Sequence, residues 1–167
     1  MNTRAITTAL FWFILLASLA GLTLEARQWL QTYVFRQQIM QADRIAVDDQ
    51  TPSGLLLAKA WSLIQAGKPD AAKTLYDRLL HRPEKDMQAE AHYQLGTLYL
   101  KEAAPIWHAV GVLEYAKVST LVALARQHLQ AALRLQPTHW EARYNLEYAE
   151  RITLSLIHIS EPTRPER

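Results

Sequence analysis

The sequence predicts an all-α protein in which one apolar amino-terminal helix precedes a short run of paired helices with a helical insert. Three observations lead there. Five glycines and seven prolines in 167 residues leave little material for hairpin turns. Alanine, leucine, glutamine and glutamate dominate the middle of the chain. Apolar residues recur at helical spacing between proline and glycine stops.

Bulk properties exclude several classes of function. The 18 basic and 16 acidic residues, net charge +2, are spread without the blocks of a nucleic-acid-binding arm, so no nucleic acid is expected. With no cysteine, the chain has no disulfide framework, thiolate metal site, thiol nucleophile or lipoprotein-type anchor.

Residues 1–4 form a short tail carrying Arg4. From Ala5 to Leu24 the run AITTALFWFILLASLAGLTL is uncharged and long enough to cross ~30 Å of hydrocarbon as a helix. Ser18-Leu19-Ala20 offers a small-x-small signal cleavage site, but the run continues beyond a usual signal core, which favours an uncleaved anchor in the lipid bilayer. Arg27 and Arg36 nearly balance Arg4 and the α-amino group, and the short tail before an export-like run favours tail inside and domain outside. In a bacterium this is a single-pass inner-membrane protein facing the periplasm, with residues 1–4 cytoplasmic. Residues 25–50 read as a juxtamembrane helix and linker, with Trp29 and Tyr33 suited to the interface. Asp48 and Asp49 lack calcium-loop spacing and read as a solvated loop.

The helical domain is expected over 51–153. Pro52 suits the first helical position after Thr51, and Gly67 ends that helix. Pro69 and Asp70 suit the next first turn, Leu75, Leu79 and Leu80 supply its apolar stripe, and Pro83 stops it. In AEAHYQLGTLYLK, residues Ala91, Leu95, Leu98 and Tyr99 share a face. Gly96 costs about 1 kcal/mol in a helix, so a closely packed neighbour is its expected reason. From Lys101 to Ala125 the chain is longer than a short turn requires and itself looks helical, so it extends the next helix backward and needs apolar cover. Thr138 and Glu141 are spaced as a capping box for a last helix.

These pieces resemble tetratricopeptide (TPR) repeats. Leu95, Gly96 and Tyr99 stand at the Leu-Gly-x-x-Tyr positions of a first helix, and Ala72, Ala125, Leu129, Ala132 and Pro137 match second-helix positions. Glu147 stands where the glycine is expected in the last helix, which puts a regular continuation in doubt. The resemblance implies a concave partner-binding groove lined by Glu90, Tyr93, Thr97 and Lys101 of one unit and by Glu141, Tyr144, Asn145 and Tyr148 of the next. Packing of Tyr93 and Tyr144 between repeats is the competing reading. Trp107 in the insert is either core or an exposed contact for a partner.

No catalytic residue or metal ligand set is found, and no cofactor is expected. His81, His92, His108, His128, His139 and His158 lack ligand spacing, His92 reads as a packing residue, and Glu114 is an isolated carboxylate with no acid/base partner. An enzyme, including a hydrolase, is therefore not expected.

From Met1 to Ile152, and most specifically in ALRLQPTHWEARYNLEYAER, the chain resembles the MxaK-type accessory proteins encoded with bacterial methanol dehydrogenase. That resemblance implies a membrane-anchored periplasmic helper in making active dehydrogenase, a step associated with calcium incorporation, with maturation factors as partners. Similar endings in other membrane-linked TPR proteins keep an adaptor in cytochrome c maturation or envelope assembly as the alternative. Residues 154–167 resemble a translated sequencing adapter, specifically from Leu154 to Pro165. They are expected to be non-native, with the natural carboxy terminus missing.

Overall fold

The computed structural model describes residues 46–160 and 41–44, with single residues and short stretches between Trp12 and Met40; the side chains of 43, 110–112 and 156–160 are not among them. The chain divides into two units, Met1–Ala42 and Asp43–Arg167. Val47, in the second unit, packs against its first apolar core.

In the first unit, Trp12, Leu15, Ser18 and residues 21–23 are helical, and Trp12, Leu15 and Leu22 are exposed. Among the described residues no helix is long and apolar enough to cross a membrane. The span expected at 5–24 falls largely outside the described residues.

The second unit is a succession of helices: α1 (Ser53–Gln65), α2 (Pro69–Leu80), α3 (Lys85–Val110), α4 (Tyr115–Leu135) and α5 (Trp140–Ser160), with a 3-10 turn at Gly111–Glu114 between α3 and α4. Each packs chiefly on its neighbours in sequence, and α1 meets α3 and α3 meets α5 across the intervening helix. This is the stacking of a solenoid.

Local chemistry sets the boundaries. Pro52 is the cap of α1 and not its first residue, one position earlier than expected. Gly67 ends the α1–α2 turn at φ 70°, in the left-handed region that glycine enters without a Cβ clash. Pro69 opens α2 at the position where a missing N–H costs nothing.

Two apolar cores result. The first joins Leu56 and Ala60 of α1, Ala72, Tyr76 and Leu79 of α2, and Ala91, Leu95 and Leu98 of α3. The second joins Leu100 and Ala103 of α3, Val118, Val122 and Leu129 of α4, and Ala142, Ala149 and Ile152 of α5. Fully burying a leucine or valine contributes about 1.5–3 kcal/mol, and Leu56, Leu79, Val118, Val122 and Leu129 are all sealed from solvent.

The insert is the end of one helix and the start of the next. α3 runs through Pro105, whose nitrogen cannot return a bond to the Lys101 carbonyl. Packing compensates: Ile106, Trp107 and Tyr115 lie on the second core and Val118, Leu121 and Val122 are buried in it, so much of the insert's apolar surface is covered from within the fold, while Leu113 stays exposed.

The capping box expected at Thr138 does not form, because α5 starts at Trp140 and places His139 at the cap. The helix then continues into the stretch expected to be non-native, as far as Ser160, since LSLIHIS contains no glycine or proline to stop it. Residues 161–167 lie outside the described residues.

Candidate partner-binding groove

The residues expected to line a groove come from α3 and α5, which meet across α4. Glu90, Tyr93, Thr97 and Lys101 follow the three- and four-residue steps that keep a helix face aligned. The structure brings several of them together around His139, a residue that sequence reasoning passed over.

The His139 side chain is only 10% exposed. Its Nδ1 lies 3.1 Å from Glu141 Oε2 and its Nε2 lies 3.8 Å from Glu90 Oε2. Tyr93 packs its ring against the imidazole at 4.5 Å between centres. The Ala142 amide stands 3.4 Å from the same Nδ1, and that nitrogen can either donate to the carboxylate or accept from the amide, not both. Gln94 Nε2 donates to Glu90 Oε1 at 2.8 Å and fixes the carboxylate from behind.

One turn further along α3, Asn145 Nδ2 of α5 donates to Thr97 Oγ1 at 3.0 Å. Burial raises the Tyr93 phenol pKa; the Thr97 hydroxyl opposes the shift, and the Glu141 and Glu90 charges add to it. Glu90, Tyr93, Thr97, Glu141 and Asn145 thus form the seam between neighbouring units, and Tyr93 packs there in the way its competing reading allowed.

Tyr144 and Tyr148 do not join that seam. They are 66% and 37% exposed, and Trp140, one turn earlier on α5, is 69% exposed. Spaced four residues apart, the three rings make an aromatic ridge along one side of α5. The signal for Trp140 was present in the sequence, as the first aromatic of the series 140, 144, 148. Lys101 is exposed on α3. Trp107 is not an exposed partner contact: it is half-buried against the second core. Glu114 is exposed in the 3-10 turn.

Gly96 has the packing role its place in a helix suggests. A Cβ built there would stand 2.7 Å from Leu129 Cγ and 3.1 Å from the Ala125 carbonyl oxygen. α4 therefore crosses α3 at near-backbone contact. The chain is similar to the crystal structure of a TPR repeats protein from Bacteroides fragilis NCTC 9343, with a TM-score of 0.50 and 22% identity over 60% of this chain.

The fold is TPR-like.

The likeness is one of fold, and the chain spans about half (49%) of that TPR protein's length. No family model and no curated protein matches the sequence. In TPR-like terms α1 with α2 and α3 with α4 are helix pairs, and α5 is the first helix of a following unit.

A second polar pair lies inside the α3–α4 crossing. His92 Nδ1 and His128 Nδ1 are 3.0 Å apart, with the ring centres 5.2 Å apart, so the rings meet nose to nose across one proton. One ring donates and the other accepts, which requires opposite tautomers. Tyr99 stacks on His128 at 5.7 Å. Lys73 of α2 stands 5.0 Å above Tyr99 and pairs with Glu102 at 2.7 Å. Among the described residues no group of three or more His, Cys, Asp or Glu side chains is placed to hold a metal ion.

Proposed function

We propose that this TPR-like protein is a non-catalytic scaffold that holds a partner protein on the α5 side of the α3–α5 seam. The observation that carries the reading is the aromatic ridge of Trp140, Tyr144 and Tyr148, exposed beside the polar seam between α3 and α5. Large rings bring much contact area at little loss of side-chain entropy, and such residues are enriched where interfaces draw most of their energy.

The finer assignment is to a membrane-anchored, periplasm-facing helper in methanol dehydrogenase maturation. It rests on the resemblance of ALRLQPTHWEARYNLEYAER and of the apolar run at 5–24. The exposed, helical Trp12, Leu15 and Leu22 are in keeping with a lipid-facing segment. Crosslinking of the full-length protein in cells, followed by purification, tests both levels. Recovery of a dehydrogenase subunit or maturation factor through a photoreactive residue at 144 supports the whole assignment. Recovery of cytochrome c maturation or envelope-assembly proteins instead moves the scaffold to those systems. Absence of any crosslinked protein removes the scaffold reading.

A further inference from the structure

The turn ahead of α1 is knitted rather than loose. Thr51 Oγ1 donates to Asp48 Oδ1 at 2.7 Å and accepts from the Asp48 amide at 2.9 Å, while the Gln50 amide donates to Asp48 Oδ1 at 3.1 Å. Its backbone carbonyls are thereby fixed, and two arginines use them. Arg78, in the last turn of α2, donates from Nη2 to the Asp48 carbonyl at 2.9 Å. Arg82 donates from Nη2 to the carbonyls of Asp49 at 2.8 Å and Thr51 at 3.2 Å.

A guanidinium carries five N–H donors, and each arginine is anchored here through a single nitrogen. Among the described residues, every side-chain bond of the two arginines is made by Nη2, and no nitrogen of either is buried without a partner. The two arginines line an open notch of about 320 Å³ together with Asp49 and His81. Both bidentate edges of a guanidinium include Nη2, so release of Asp49 from Arg78 Nη2 opens an edge to an oxyanion, with the Arg82 charge beside it.

The notch already handles one carboxylate. Asp49 Oδ1 lies 2.9 Å from Arg78 Nη2, yet the Asp49 side chain is fully exposed. An ion pair this open is weak and is exchanged at small cost. Asp49 thus has the place and the lability of a tethered competitor.

We propose that Arg78 and Arg82 form a docking site for a side-chain carboxylate on an acidic segment of a partner protein, and that Asp49 occupies Arg78 until that carboxylate displaces it. The site uses α2 and the preceding turn and does not depend on the aromatic ridge.

Calorimetric titration of the full chain with acetyl-tetraglutamate amide and, separately, with inorganic phosphate tests it at matched ionic strength. Asp49→Asn, which leaves both arginine anchors on the backbone in place, should tighten peptide binding about two- to five-fold, the size of one exposed ion pair. Arg78→Gln with Arg82→Gln should abolish it, with circular dichroism confirming the helices. Unchanged peptide affinity in Asp49→Asn overturns the proposal, and so does undiminished binding in a folded double variant. Tighter binding of phosphate than of peptide overturns the assignment to a partner segment. Loss of Tyr144 tests the ridge and leaves this titration unaffected, so the two readings fail separately.

Discussion

Gly96 and Leu129 are in contact at a spacing that no other residue at 96 could keep: an added Cβ would meet Leu129 Cγ at 2.7 Å. Leu129 is wholly buried and the Ala125 carbonyl closes the other side at 3.1 Å, so neither neighbour has free space to retreat into. Gly96→Ala gains about 1 kcal/mol of helix propensity and incurs overpacking of about 1–3 kcal/mol. The expected net is a destabilisation of up to about 2 kcal/mol, read as a lower urea midpoint. Leu129→Ala alone should cost about 2–5 kcal/mol. In the double variant the cavity receives the new methyl group, so the two losses should be less than additive. Strict additivity in the urea midpoints would contradict the contact.

Acid should weaken the α3–α4 crossing. Burial lowers the pKa of His92 below 6.5, and the positive charges of His128 and Arg134 lower it further. Burial lowers that of His128 also, against the opposing pull of the Asp77 carboxylate. With the folded values depressed, the unfolded chain binds protons first as pH falls below 6.5. The pair's contribution is thus complete above that pH and declines below it until the folded rings also protonate. A second proton would set two N–H groups face to face across 3.0 Å. Urea midpoints measured from pH 7.5 to 5 should fall, and His128→Gln should flatten that fall. An equally steep fall in the variant would rule the pair out as its source.

The ridge and the seam should separate under mutation. Tyr144→Ala and Tyr148→Ala remove exposed rings and should leave the thermal midpoint nearly unchanged, since exposed substitutions usually act within ±0.5 kcal/mol, while crosslinking to a partner is lost. His139→Ala removes a largely buried ring from between Glu90, Glu141 and Tyr93 and should lower the thermal midpoint by several degrees. A normal midpoint in His139→Ala would deny the seam its structural part.

The Asn145–Thr97 bond offers a smaller test. Asn145→Ala removes a part-buried partner and should cost about 0.5–1.5 kcal/mol. Adding Thr97→Val removes the hydroxyl that Asn145 bonds and also takes it away from the Tyr93 phenol, so the double variant should be somewhat less stable than Asn145→Ala. A chemical-denaturation midpoint equal to that of Asn145→Ala would show that the Thr97–Tyr93 contact contributes nothing.

Features written in local spacing were legible from the sequence. Gly67 and Pro69 mark the α1–α2 turn through their own backbone limits, and a glycine inside the α3 pattern announced a close neighbour without naming Leu129. The helical character of the insert followed from periodicity, although the passage of α3 through Pro105 did not, since proline ordinarily argues for a stop. The His92–His128 pair was not legible: the residues lie 36 apart and meet because two helices cross. His139 was hidden by a plausible T-x-x-E pattern at Thr138, which a start at Trp140 displaces by one residue. Arg78 and Arg82 carry no signal of their own, because their acceptors are backbone carbonyls whose direction depends on how the Asp48 turn is knitted.

α3 belongs to both apolar cores, with Leu95 and Leu98 in one, Leu100 and Ala103 in the other, and Tyr99 packed against each. A stack of self-contained pairs could lose its end pair and keep the rest folded. Here the helix is shared, and opening either half strips one side of the same α3 residues. The unit should melt in one cooperative step. Its slowest-exchanging amides should lie in α3 around Tyr99, the stretch whose exposure requires both halves to come apart.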